Sequence, residues 1–145
     1  MSKVRIFCQN ETGDLQWLVS HNNTAPEMYR SPNIGSSGGA AGWFLVEADG
    51  GYKLKANTGR YVLVDVDAES VGMTVDADDA TVFVFNKQDN KFLDIYNIQV
   101  QGQSLYLIGR SGGSLQPSVA LGTTGTKNQA MWTLFLDRSP SEVAA

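Results

Sequence analysis

Cysteine is nearly missing: one residue, Cys8, in a chain of 145. No internal disulfide can form, which excludes the small scaffolds that depend on several cross-links. Histidine is as scarce, with His21 alone. Cys8 has no histidine at motif spacing, and it sits in an alternating apolar stretch where burial makes a thiol an inert small hydrophobe. The same scarcity leaves no ligand set for a hydrolytic zinc ion. Basic residues are the minority, 11 Lys and Arg against 15 Asp and Glu, for a net charge of −4. A phosphate-binding surface needs clustered cations to displace counterions, so nucleic acid is not an expected partner. No apolar run approaches the about 18 residues of a membrane helix, so membrane insertion is not expected either. Met1–Cys8 carries Lys3 and Arg5 and then alternates, without the apolar stretch of a secretory signal. The expected location is therefore cytoplasmic. The glycine clusters lack the Lys-Ser/Thr ending of a phosphate loop, and no cofactor is expected.

What the chain has instead is glycine, 15 residues, concentrated in Gly35-Ser-Ser-Gly-Gly39, Gly109-Arg-Ser-Gly-Gly113 and Gly122-Thr-Thr-Gly125. Between these clusters lie short stretches rich in Val, Leu, Ile, Phe and Tyr, the punctuation of an all-β protein. No window shows apolar positions recurring at three and four between caps, so long helices are not expected. Twelve strands are expected: Val4–Gln9, Leu15–Ser20, Glu27–Arg30, Trp43–Glu47, Tyr52–Ala56, Tyr61–Val66, Val71–Val75, Thr81–Asn86, Phe92–Asn97, Ser104–Ile108, Ser118–Leu121 and Met131–Asp137.

Twelve short strands invite a search for repeats. Ala41-Gly-Trp-Phe-Leu-Val46, Ala80-Thr-Val-Phe-Val-Phe85 and Ala130-Met-Trp-Thr-Leu-Phe135 share a pattern, with Trp43, Val82 and Trp132 at its third position. An earlier set is Trp17-Leu-Val-Ser-His-Asn22, Tyr61-Val-Leu-Val-Asp-Val66 and Leu105-Tyr-Leu-Ile-Gly-Arg110. Turn signals at Asn10-Glu-Thr-Gly13, Asn57-Thr-Gly59 and Gln101-Gly-Gln103 fall between the first and second strand of each unit. Three units of about 48 residues and four strands each would bury their apolar faces jointly, since one alone cannot. The expected organisation is one domain over residues 1–138, in repeats of about 3–49, 50–90 and 91–137, with a surface tail over 139–145. Trp17, Trp43 and Trp132 lie in apolar strands and are expected in the core.

Three four-strand units, each closing on a Trp-x-Leu-like strand, resemble a β-trefoil, and within that fold the ricin-B-like lectins, in particular the small fungal fruiting-body type found in boletes. The resemblance covers about residues 3–137. The family's closing strand reads Gln-x-Trp, whereas here Ala41, Ala80 and Ala130 stand at the Gln position. The resemblance implies a non-catalytic, multivalent lectin for glycans ending in galactose or N-acetylgalactosamine, with a homodimer adding to the valency and a role in defence. It also implies two binding loops per repeat. The first loop carries over to His21 and Asn22 in repeat one, Asp65 and Asp67 in repeat two, and Gly109, Arg110 and Ser111 in repeat three. The second carries over to Gly39, with Tyr29 and Asn33 nearby, then to Asp78 and Asp79, then to Asn128 and Gln129. Carboxylates, amides and backbone N–H groups are what sugar hydroxyls need, together with an apolar surface for the C–H face of the ring.

The bland readings differ residue by residue. His21 serves equally as a loop-packing residue, and Arg110 as a surface ion-pair partner. Asp65, Asp67, Glu69, Asp76, Asp78 and Asp79 place six carboxylates within fifteen residues, a repulsion that water, a cation or a partner must relieve. In Asp65-Val-Asp-Ala-Glu-Ser-Val-Gly72 the glycine stands eighth, where a calcium loop needs it sixth, so no metal site is expected. A rival of the same fold is a protease inhibitor acting through one exposed loop, His21–Pro32 or Gly109–Pro117, and an inert storage protein is the third reading. The fold by itself assigns none of these.

Overall fold

The computed structural model describes residues 3–9, 15–20, 25–29, 42–89, 94–110 and 119–136. Among them are twelve strands: β1 (Lys3–Gln9), β2 (Leu15–Val19), β3 (Glu27–Tyr29), β4 (Trp43–Ala48), β5 (Gly51–Ala56), β6 (Tyr61–Asp65), β7 (Ser70–Thr74), β8 (Phe83–Lys87), β9 (Ile95–Val100), β10 (Tyr106–Gly109), β11 (Val119–Gly122) and β12 (Trp132–Leu136). The remaining regular element among these residues is one 3-10 turn, Asn128–Ala130.

The pairings close a ring. β1 pairs with β4, β4 with β5, β5 with β8, β8 with β9, β9 with β12, and β12 returns to β1, all antiparallel. A six-strand barrel closed in this way has no free edge of its own. The other six strands form three hairpins, β2–β3, β6–β7 and β10–β11, attached to β1, β5 and β9. Each barrel strand that leads into a hairpin runs toward the same end, so the hairpins cap that end and leave the other uncapped. A barrel of six strands with three capping hairpins related by a threefold repetition is a β-trefoil.

The core shows the same repetition. Period-two alternation along β1, β5 and β9 points Ile6, Leu54 and Ile98 inward, each 0% exposed. Trp43, Phe83 and Trp132, at the starts of β4, β8 and β12, are also fully buried. The register makes these three equivalent: Trp43 opposes Val4 and Ala56, and Phe83 opposes Tyr52 and Val100. Phe83, not Val82, therefore occupies the Trp position of repeat two. Repeat two carries one extra residue after Ala80, which causes the shift, and the hydrogen bonding differs with it. The Trp43 indole N–H donates to the Leu18 carbonyl at 2.9 Å, and that of Trp132 to the Leu107 carbonyl at 3.0 Å. Phenylalanine has no donor, and the backbone N–H of Thr81 reaches the Val62 carbonyl instead, at 3.2 Å. Trp17 departs from expectation too. It is half-buried, packed on Phe7 with ring centroids 4.8 Å apart.

Strand ends fall within two residues of expectation where the residues are described, except at β9. The stretch expected to stop at Asn97 continues to Val100. Asn97 is buried mid-strand, where a turn-former is tolerated because its amide is satisfied: Asn86 Nδ2 donates to its Oδ1 at 2.7 Å, and its own Nδ2 donates to the Gly125 carbonyl. Two of the expected tight reversals are seen in matching form. Gly59 and Gly102 adopt φ of +94° and +77°, closing the turns after β5 and β9. The turn expected at residues 10–13 and the tail over 139–145 lie outside the described residues.

Candidate functional site

The corner of repeat two is built from two segments, the turn inside its hairpin and the loop leading into its last strand. Both segments are described throughout. The first segment leaves β6 at Asp65, which opposes Ser70 across the hairpin. The Asp65 carboxylate accepts the Ala68 N–H at 3.1 Å, and the Glu69 N–H donates to the Val66 carbonyl. Glu69 sits at φ +50°, the left-handed conformation that closes the turn. Asp65 thus spends one oxygen on its own turn, while Asp67 stands exposed at the tip.

The second segment is fastened link by link. Thr74 Oγ1 accepts the Asp76 N–H at 3.1 Å, Asp76 Oδ1 accepts the Asp78 N–H at 2.9 Å, and the Asp79 and Ala80 N–H groups bond back to the Asp76 and Ala77 carbonyls. Asp76 is the brace of this loop. Asp78 and Asp79 are exposed on it. Thr81 joins the two segments: besides its backbone bond to Val62, its hydroxyl accepts the Val64 N–H at 2.7 Å, one residue before Asp65. Lys53, arriving from β5, donates from Nζ to the Ala77 carbonyl and brings a positive charge to the acidic loop. Neither Thr81 nor Lys53 belongs to the carried-over set. A threonine beside an Ala-x-Val pattern and a lysine on another strand carry no signal in one dimension.

The large hydrophobic side chains exposed among the described residues are Val66, 37%, and Val75, 69%. One lies in each segment of this corner. The corner therefore offers acceptor carboxylates together with bare apolar surface. No group of three or more His, Cys, Asp or Glu among the described residues is arranged to hold a metal ion.

The other corners differ. In repeat three Gly109 is the last residue of β10, buried and opposed to Val119. It can act through its backbone alone. Arg110 follows it, half-buried, and Ser111 lies outside the described residues. Asn128 and Gln129 occupy the 3-10 turn, closed by the Ala130 N–H on the Lys127 carbonyl and the Met131 N–H on the Asn128 carbonyl. Asn128 is exposed and Gln129 half-buried, and the Gln129 carbonyl accepts the buried Cys8 thiol at 3.8 Å. In repeat one Tyr29 is placed by its backbone in β3, opposite Trp17, while His21, Asn22, Asn33 and Gly39 lie outside the described residues.

Comparison with known proteins bears on the fold. No protein-family model matches the chain, and no curated protein matches it. Solved structures do. A β-trefoil designated BEL, in an apo crystal form, is 17% identical with a TM-score of 0.69, over 94% of this chain and 93% of that one. A ricin B-like lectin of Macrolepiota procera, in complex with lactose, is 16% identical with a TM-score of 0.68, over 93% of this chain and 95% of that one. The chain also matches 33% of a Clostridium perfringens endo-β-galactosidase that releases GlcNAcα1-4Gal, at 15% identity, a TM-score of 0.66 and 95% coverage of this chain. At such identities the agreement concerns the β-trefoil fold.

Proposed function

We propose that the chain is a ricin-B-like, non-catalytic lectin that binds glycans ending in galactose or N-acetylgalactosamine at its trefoil corners. The observation that carries this is the repeat-two corner, where exposed Asp67, Asp78 and Asp79 share two tied segments with exposed Val66 and Val75. Carboxylates accept from vicinal hydroxyls, and the valine surfaces suit the C–H face of a pyranose. Asn128 and Gln129 supply amides, which donate as well as accept, at the matching place in repeat three. The Macrolepiota procera neighbour in complex with lactose supports the choice of a galactose-type ligand. Water competes for every exposed contact, so each corner binds weakly, and several corners engaged together give useful avidity. A homodimer would multiply that valency. The protein on this reading is held in the cytoplasm and acts in defence on glycans outside the cell that makes it, like the fungal lectins it resembles.

The test is binding of the purified protein to a glycan array, with free galactose as competitor. Signal on galactose-terminated glycans, lost on competition, is the expected result. Absence of glycan binding together with stoichiometric inhibition of papain or trypsin would transfer the fold to the inhibitor reading.

A further inference from the structure

At the uncapped end of the barrel, β4 and β5 join through a two-residue turn, Asp49-Gly50, with both residues at positive φ, +39° and +88°. A cleft of about 420 Å³ opens there, lined by Glu47, Ala48, Asp49, Gly50, Gly51 and Tyr52. Its six lining residues belong to none of the corner segments, although Gly51 abuts Val82 at the end of the repeat-two pre-strand loop, and its volume falls within the range of small-ligand sites, which recur in the mouths of β-barrels.

Its construction is specific. Glu47 and Tyr52 oppose each other across β4 and β5, two positions from the Leu45–Leu54 pair, so alternation turns both toward the barrel mouth. The half-buried Tyr52 ring is held edge-on by Phe85, centroids 5.8 Å apart, and Phe85 in turn meets Tyr96 at 6.1 Å. The turn is braced from the third repeat: Gln101 Nε2 donates to the Asp49 carbonyl at 2.7 Å, while the Gln101 N–H bonds to the Val82 carbonyl. Gly51 is locked in place, because a Cβ there would run into the Phe83 carbonyl oxygen. The next repeat has the cross-strand pair Lys87–Tyr96 at the equivalent position, and there Asp94 engages the lysine at 3.3 Å.

The lining thus combines two exposed carboxylates, an aromatic ring and bare glycine backbone, with no cation among its six residues. Carboxylates accept from hydroxyls and repel anions, a tyrosine ring covers the C–H face of a pyranose, and glycine lets a ligand approach the main chain. We infer that this cleft is a saccharide subsite, separate from the three corners, that takes an uncharged sugar and rejects acidic ones. Glu47 and Asp49 accept from its hydroxyls, and Tyr52 packs against its ring.

The test is titration of the isotope-labelled full chain, followed at the Gly50 and Gly51 amides. The probes are methyl β-galactoside, methyl α-glucoside and N-acetylglucosamine, with glucuronic acid as the anionic control. At least one neutral sugar is expected to shift both amides saturably, and glucuronic acid to leave them in place. Glu47→Gln and Asp49→Asn are exposed, near-isosteric changes, and asparagine suits the turn. Each is expected to weaken that binding at least threefold, while Asp79→Ala leaves it unchanged. Static amides with all three sugars, equal response to glucuronic acid, or full affinity in Glu47→Gln would each overturn the inference. Corner binding is read separately at the Asp79 and Gln129 amides, so either reading can fail without the other.

Discussion

Trp43 and Trp132 show how much one polar atom decides in a dry core. Each indole fills a fully buried site and satisfies a hairpin carbonyl that no water can reach. Replacing Trp132 by Phe keeps the aromatic packing but strands the Leu107 carbonyl, and the penalty for such an orphan is about 1–3 kcal/mol. Urea unfolding of Trp132→Phe should report a loss of that size. The opposite change, Phe83→Trp, should also destabilise, by about 1–3 kcal/mol from overpacking. The Val62 carbonyl already has the Thr81 N–H, so the new indole gains nothing there. Gly51→Ala should cost at least as much, because its Cβ meets main chain at Phe83 and main chain cannot step aside. The two tryptophans were readable as core from sequence. Phe83 was not, because repeat two inserts one residue between Ala80 and the buried aromatic, and a letter-by-letter match then lands on Val82. A residue's equivalence is set by the strand it opposes, which a single sequence does not contain.

At the level of the element, period-two alternation and turn glycines were enough to locate all twelve strands, because a half-buried strand must alternate and a tight reversal needs positive φ. The exception, β9, failed where an amide network around buried Asn97 replaced a turn. Asn86 donates to both Asn97 and Gln99, and the latter continues to the Gln103 carbonyl. Such a ladder of amides looks like loop composition until its partners are known. The join between β7 and β8 has the same character. Thr81 bonds once through its backbone and once through its hydroxyl, fastening the Asp76–Ala80 loop to β6. Thr81→Val retains shape and the backbone bond but leaves the Val64 N–H without its acceptor. The expected result is a loss of about 1–3 kcal/mol, measured by denaturant titration. Sugar-induced shifts should weaken at the Asp78 and Asp79 amides and stay unchanged at Asn128 and Gln129. Equal weakening in both repeats would mean that the threonine supports the whole barrel and does not act on its own corner.

The whole molecule is where the candidate site acquires consequence. Threefold repetition distributes the repeats around the barrel axis, and on the proposed lectin reading one molecule would engage separate glycan chains and bridge them. The sequence pointed to loops for each corner, and in repeat two the structure brings the two expected loops together. It could not show how unequal they are: Asp65 partly consumed by its own turn, Asp76 by the next, Gly109 buried in a strand, and two valines bared in repeat two. Inequality makes the corners separable by mutation. Asp79 is exposed, and the Asp79 and Ala80 N–H bonds that close its loop run to backbone carbonyls, so Asp79→Ala should remove the repeat-two site and leave the loop standing. Gln129→Ala likewise spares the Gln129 carbonyl that accepts the Cys8 thiol. Once one corner is bound, the others see ligand at an effective concentration far above the bulk, and losing a corner removes that multiplication while the affinity of those remaining is untouched. Each variant should therefore lower cell agglutination more than it lowers binding of a monovalent galactoside measured by calorimetry. The double variant should lower agglutination further than either single variant, while repeat one still binds sugar. Agglutination unchanged in both single variants would place the sugar contacts elsewhere on the barrel, and the uncapped mouth would be the next region to probe.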